Sequence, residues 1–193
     1  LILIMNNKTL LFFLPALFFI TNCEQYGKHE WENPTIIGIN KLPPRAHFTS
    51  YESELLAIKN DPSRSKNYIS LNGKWKFKFS KNIKDKPENF YEMGFNDNDW
   101  DKINVPGSWE LQGWSFPIYL DEEYPFPPDP PFIPHKLNTV GSYKRKINLP
   151  QDWLKKDIFL KFGSVRSACY VWFNGKYIGY SQGSKTPTEF DVT

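Results

Sequence analysis

Hydrophobic and polar residues alternate along "GKWKFKFS", residues 73–80, where lysines separate Trp75, Phe77 and Phe79. A period of two is typical of an antiparallel strand that buries one face and exposes the other. The stretches "SYKRKINLP" and "DIFLKFG", residues 142–150 and 157–163, favour two further strands. Short strands are therefore expected to dominate the chain from residue 65 onwards.

The clearest local signal is "ACYVWFNGKYIGYS", residues 168–181, in which two apolar runs flank Asn174-Gly175. This dipeptide predicts a β-hairpin with a type I′ turn, because both central residues of that turn need positive φ. After Tyr180, small and polar residues fit either a chain that leaves the sheet or plain turn chemistry. Several short strands with no long helix predict an all-β fold, an antiparallel sandwich of the jelly-roll type.

The segment before the strands has a different pattern. Residues 24–47 show prolines and isolated apolar residues without a period, which indicates an extended arm. Residues 49–61 predict a short helix, with Thr49 and Glu52 as a capping box and Asp61-Pro62 as its end. The predicted organisation is an arm over residues 24–64 and a sandwich over residues 65–193. Because "EFDVT" reaches the chain end without a turn signal, we expect the sandwich to be incomplete there.

The first 23 residues are predicted to form a signal peptide. Lys8 precedes an apolar stretch, residues 10–20, which is too short for a membrane span and is interrupted by Pro15. Cys23 ends the segment within "ITNC", which resembles a lipoprotein box and makes Cys23 a candidate for lipidation. The alternative is an ordinary secretory signal in which Cys23 has no role. Both readings predict an exported protein, in the periplasm or at the outer membrane. Contact with a membrane is expected only in the first reading and only through the lipid anchor.

Composition narrows the possible functions. The net charge is only +3 and the lysines are scattered, which argues against nucleic-acid binding. An aromatic content of 17% and 16 prolines favour strands and ordered loops over long helices. Cys169 lies in an apolar run and is predicted to be an inert core thiol rather than half of a disulfide. His29, His47 and His135 are far apart in sequence, so we expect neither a metal site nor a nucleophile–base pair.

Two further segments carry candidate binding residues. Trp109 and Trp114, in "WDKINVPGSWELQGW", would either stack on the apolar face of a sugar or pack a loop onto the sandwich. The loop "DEEYPFPPDPPFIPHK", residues 121–136, is long, aromatic and rich in proline, which lowers the entropy cost of presenting side chains to a partner. Asp121, Glu122 and Glu123 are adjacent, which predicts a solvated charge cluster rather than a catalytic pair. We assign no catalytic residue in the chain.

These stretches resemble the N-terminal part of the large bacterial β-galactosidases of glycoside hydrolase family 2. The similarity covers residues 32–193 and six stretches in the same order. They are "ENPTIIGINKLPPRAHF", "SLNGKWKFKF", "VPGSWELQGW", "PIYLDEEYPFPPDPPFIP", "GSYKRKI" and "VWFNGKYIGYSQGSKTPTEFDVT".

The resemblance implies a galactose-binding-type jelly roll followed, in the full-length protein, by a TIM barrel that holds two catalytic glutamates and a magnesium ion. It implies retaining hydrolysis of terminal β-D-galactosyl residues, a galactose-containing glycan as substrate and a homo-oligomer at full length. The proline-rich loop would then be a wall of an active site on another domain.

Two family positions that approach the sugar differ in this chain. An asparagine of the family aligns with Asp121, which we carry over as a substrate-binding residue although an ionised carboxylate only accepts hydrogen bonds. A sodium-contacting aspartate aligns with Gly183, which has no side chain to coordinate an ion, so no metal ligand is assigned in this chain. These changes leave two alternatives open: a family member with another sugar specificity, and a free-standing carbohydrate-binding module.

Overall fold

The computed structural model describes residues 27–117, 124 and 126–193. Over these residues the chain is built from short antiparallel strands with one short α-helix, which confirms the predicted all-β class. The elements are β1 (Gly38–Ile39), α1 (Glu54–Lys59), β2 (Gly73–Ser80), β3 (Asp101–Val105), β4 (Val140–Lys144), β5 (Phe159–Phe162), β6 (Ala168–Phe173), β7 (Lys176–Gln182) and β8 (Thr188–Asp191). The sheets have the strand orders β1-β7-β6, β3-β2-β4 and β5-β8.

Strand β2 is the centre of its sheet, as the alternation of apolar and charged residues predicts. Phe77 is fully buried at 0% exposure and lies opposite Tyr143 of β4 and Asp101 of β3. Ile103 of β3 faces the same core at 1% exposure. The lysines of β2 lie on the other face, where Lys76 pairs with Asp97 at 2.6 Å.

The hairpin of β6 and β7 forms as predicted. Asn174 and Gly175 have φ angles of 50° and 79°, as a type I′ turn requires. Cys169 in β6 is a free thiol, and burial raises its pKa to about 11, so it stays protonated near neutral pH.

The arm is part of the fold through β1, which pairs with β7 in the register Gly38↔Ser181 and Ile39↔Tyr180. A side chain on Gly179 would collide with this pairing, since a Cβ there would lie 2.3 Å from the carbonyl oxygen of Ile39. Neither the pairing nor the close approach was predicted, because a two-residue strand has no period to read.

After Gln182 the chain leaves the β1-β7-β6 sheet through a turn, so both readings of this segment describe what is seen. Gly183, at φ +127°, accepts a hydrogen bond from the amide of Thr186, and the chain returns as β8 beside β5. Phe190 of β8 is fully buried at 0% exposure.

The predicted helix exists, but its predicted cap is wrong. Helix α1 begins after Ser53, whose hydroxyl accepts a hydrogen bond from the amide of Leu56, and it ends at Asn60 in a left-handed conformation. Glu52 does not close a capping box with Thr49. It accepts a hydrogen bond from the amide of Lys66 instead, which ties the arm to the segment after the helix.

Three predictions fall on residues outside the described part. The signal peptide and the lipidation site at Cys23 lie within residues 1–26, and Asp121 lies within residues 118–123. In the described ranges, no helix combines the length and the apolar character that crossing a bilayer needs.

Candidate functional site

The arm, the end of the proline-rich loop and the end of the hairpin meet in one place, which we call the arm–loop edge. It comprises residues 29–36 of the arm, His135 of the loop, and Tyr170, Tyr180 and Gln182 of the hairpin. Gln182, the last residue of β7, holds the arm through its side chain. Its side-chain amide donates to the carbonyls of Ile36 at 2.8 Å and Asn33 at 3.2 Å, and its Oε1 accepts from the Tyr180 hydroxyl at 3.1 Å.

Glu30 is joined to the hairpin by a charged hydrogen bond. The Tyr170 hydroxyl donates to its carboxylate, and this bond holds the pKa of Glu30 below its ordinary value. Burial, together with the hydrogen bond to Glu30, raises the pKa of Tyr170, so the phenol stays neutral and donates. A carboxyl with a lowered pKa is ionised at neutral pH and does not serve as a general acid. Glu30 is therefore an anchoring residue.

Glu32 joins the arm to the loop. Its carboxylate is 5% exposed, and its Oε1 lies 2.6 Å from Nε2 of His135 in the loop. His29 lies beside them, stacked on Trp31 with ring centroids 4.9 Å apart. One ligand atom each from His29, Glu32 and His135 lies within 4.8 Å of the others.

His29 and His135, which are far apart in sequence, are therefore neighbours in the fold. The long loop returns to the arm and brings together residues separated by about a hundred positions in sequence, which no local pattern shows. His47 lies elsewhere, with its Nδ1 2.9 Å from the Lys161 ammonium.

Trp109 and Trp114 pack against the core, which supports the packing alternative over sugar stacking. The Trp114 ring meets the buried Phe77 edge-on at 4.9 Å, and the Trp109 ring lies 5.7 Å from Phe79 and 6.2 Å from Phe77. Both tryptophans are half-buried, and the amide of Trp114 donates to the carbonyl of Trp109 at 3.0 Å. Their rings cover part of the β3-β2-β4 sheet.

Gly183 does not fit a sodium site. It offers no side chain, and its carbonyl oxygen already accepts from the hydroxyl of Thr186 at 3.2 Å and from the Thr186 amide at 3.3 Å. Because Gly183 follows Gln182 directly, it lies next to the arm–loop edge. Asp121, the other position expected to approach a sugar, lies outside the described residues.

Sequence reasoning missed Glu30, Glu32 and Gln182 as members of this edge. The available signal was the spacing of His29 and Glu32, three residues apart across the 3₁₀ turn Glu30–Glu32. Residues i and i+3 of such a turn lie on the same side, so the two side chains are neighbours. No sequence signal identifies Gln182, whose side-chain amide donates to backbone carbonyls of the arm.

A second charged group fixes the arm to β8. Glu189 is nearly buried, with Oε2 2.6 Å from Nη2 of Arg45 and Oε1 3.2 Å from Nζ of Lys161. Burial opposes the charge, but the hydrogen bonds from both cations outweigh it and hold the pKa of Glu189 below its ordinary value of 4.5. The stability from this ion pair is fully present above pH 4.5 and is lost as the pH falls through the lower pKa of the folded state.

We expect Glu189→Gln to lower the free energy of unfolding by about 2 kcal/mol at pH 7, because it removes a nearly buried charge from two charged hydrogen bonds. The difference from the parent chain should shrink as the pH falls below 4.5. Urea unfolding at several pH values measures both effects. Asp99→Asn is the matched control, since its pair with Lys78 is exposed at 74% and 41%. An equal loss at pH 7 and pH 3 would contradict the proposed ionic origin.

Residues 68–193 match the family described as "Glycosyl hydrolases family 2, sugar binding domain". A β-galactosidase of Priestia megaterium is 40% identical over 172 residues, which cover 86% of this chain and 17% of the relative. β-Galactosidases of Halalkalibacterium halodurans and Vibrio vulnificus are each 39% identical, over 82% and 86% of this chain and 16% of each relative. The chain thus spans about a sixth of the length of these relatives.

Among solved structures, β-glucuronidases of an uncultured Clostridium species and of Faecalibacterium prausnitzii are both 27% identical to the chain. They superpose with TM-scores of 0.46 and 0.45 over 65% of this chain, which corresponds to 19% and 18% of the two structures.

Proposed function

The chain belongs to glycoside hydrolase family 2, and we propose on this premise that it is the N-terminal sugar-binding domain of a β-galactosidase. The full-length enzyme would remove terminal non-reducing β-D-galactose residues from a glycan. The observation that carries the proposal is the 40% identity over 172 residues to a β-galactosidase of Priestia megaterium. The match of residues 68–193 to the sugar-binding domain of the family supports the same assignment.

Within that enzyme, we propose that this domain binds and orients the sugar, while the chemistry belongs to a catalytic barrel outside this chain. Retaining hydrolysis needs two carboxyl groups about 5–5.5 Å apart, one of them with a raised pKa. Hydrogen bonds from Tyr170 and Lys76 instead hold the pKa values of Glu30 and Asp97 low. These carboxylates stabilise the fold. We also propose that the magnesium ion is bound by the barrel. A third proposal is that full-length copies form a homo-oligomer, which light scattering tests.

The arm–loop edge gives the proline-rich loop a physical role. Its C-terminal end is fixed to the arm by the contact between His135 and Glu32, and the arm is fixed to Gln182, one residue before Gly183. A loop held at that end loses less conformational entropy when it contacts a partner. We propose that this loop, with Asp121, forms part of the wall around the substrate.

The direct test is turnover of 4-nitrophenyl β-D-galactoside by the full-length protein, with the product anomer followed by proton NMR. We expect hydrolysis with retention of the β configuration. A panel of the corresponding β-glucuronide and β-galacturonide distinguishes a family member with another sugar specificity. Tight binding of galactose-containing glycans with no turnover of any panel member would contradict the proposal and favour a carbohydrate-binding module.

Export is a separate proposal, supported by the pattern of residues 5–23. Replacing Cys23 with Ser is expected to move the full-length protein from the membrane fraction to the soluble fraction, because two acyl chains give stable anchoring. Cell fractionation and immunoblotting measure the distribution. Unchanged partitioning of the C23S variant would contradict lipid anchoring without affecting the proposed enzymatic function.

A further inference from the structure

The group of His29, Glu32 and His135 at the arm–loop edge has the composition of a transition-metal site. Imidazole nitrogens and a carboxylate oxygen are the ligands that Zn²⁺ takes in proteins, with bonds of about 2.0–2.2 Å. The three ligand atoms already lie within 4.8 Å of one another. Ligands around a tetrahedral ion are about 3.4 Å apart, so small rotations of the side chains are sufficient.

The charge of Glu32 also points to a cation. Its carboxylate is 5% exposed, and within residues 27–117, 124 and 126–193 its sole ion-pair partner is His135, which carries a charge only when protonated. Gly27 packs so closely on this carboxylate that a Cβ there would lie 2.2 Å from Oε2. Removing a carboxylate from water without a full positive charge beside it is costly. A bound divalent ion would supply that charge.

The surrounding residues hold two of the ligands in place. His29 and Glu32 bracket a single 3₁₀ turn, whose closing bond runs from the amide of Glu32 to the carbonyl of His29 at 3.0 Å. The Trp31 ring stacks on His29 with an angle of 6° between the planes, and it meets the His135 ring edge-on at 5.2 Å. This packing restricts the rotation of both imidazoles.

We propose that His29, Glu32 and His135 bind one Zn²⁺ ion, which fastens the end of the proline-rich loop to the arm. Three protein ligands leave a fourth position for water. The site joins residues 29–32 to residue 135 and so adds a crosslink to the hydrogen bond and the ring contacts that hold these two segments together. Fastening the loop does not depend on the proposed β-galactosidase activity.

The test uses the full chain without a histidine tag, stripped of metal by chelator and then titrated with zinc chloride in a calorimeter. We expect one equivalent to bind and to raise the melting temperature. His29→Ala and His135→Ala should each weaken binding by at least about 100-fold, since losing a ligand costs more than losing a residue that only supports one. His47→Ala is the matched control and should bind zinc like the parent chain.

His29 is exposed, so His29→Ala should leave the metal-free melting temperature unchanged and keep the test interpretable. Saturable binding that survives His29→Ala and His135→Ala would overturn the proposal, as would the absence of one-equivalent binding by the parent chain. Loss of binding in His47→Ala would overturn it as well. Glycosidase activity is not a readout, so failure here is distinguishable from failure of the proposed function.

Discussion

Phe77→Ala is expected to lower the free energy of unfolding by about 4 kcal/mol, since removing a fully buried phenylalanine costs about 3–5 kcal/mol. Phe77 is 0% exposed at the centre of β2, and its ring meets Trp114 at 4.9 Å and Tyr143 at 4.8 Å. No neighbour can fill the space without leaving its own contacts. Because domains of this kind are stable by only about 5–15 kcal/mol, the variant should be close to unfolding at 37 °C.

Urea unfolding followed by tryptophan fluorescence measures this effect. Trp109 and Trp114 lie on Phe77, so their emission in the folded variant should also shift toward that of solvent-exposed tryptophan. Phe159→Ala is the matched control, because Phe159 of β5 is 47% exposed and should change stability far less. A loss below about 1 kcal/mol in Phe77→Ala would contradict the assignment of β2 as the core strand.

Gly179→Ala is expected to detach the arm from the hairpin and to lower stability by about 3 kcal/mol. The added Cβ would lie 2.3 Å from the backbone oxygen of Ile39 and 2.7 Å from the ring of the buried Phe190. Neither a backbone carbonyl in a strand nor a ring at 0% exposure can move aside easily. The least costly response is separation of β1 from β7.

Limited trypsin digestion measures that separation, since Lys41 lies just after β1 and should be cut faster in the variant. Gly163→Ala is the matched control, because nothing lies within 4 Å of a Cβ at that position. It is expected to be neutral or slightly stabilising. Equal stability and equal cleavage of the two variants would show that the arm is not held against the hairpin.

The strands that were predicted are those in which burial or turn geometry imposes a pattern on the local sequence. The lysine–aromatic alternation of β2 reflects burial of one face, and Asn174-Gly175 reflects the φ angles of the turn. By contrast, β1 has two residues, and its pairing depends on the absence of a side chain at Gly179, far away in sequence. Such a pairing is a property of the tertiary structure alone.

The difference between local patterns and tertiary contacts also explains which residues of the arm–loop edge were not predicted. The interest in Asp121, in Gly183 and in the role of the loop came from resemblance to a family. The contact between His135 and Glu32 joins residues 103 positions apart, so neither histidine spacing nor composition indicated it. Tertiary proximity creates this cluster, and sequence reading is weakest for such groups.

We propose that this domain binds the sugar and forms part of the wall around the substrate, while the catalytic carboxylates lie outside the chain. The most direct measurement compares hydrolysis of 4-nitrophenyl β-D-galactoside by the full-length protein and by residues 24–193 alone, after circular dichroism has shown the latter to be folded. We expect turnover by the full-length protein and none by the shorter chain. Turnover by residues 24–193 that one carboxylate-to-amide substitution abolishes would contradict the claim.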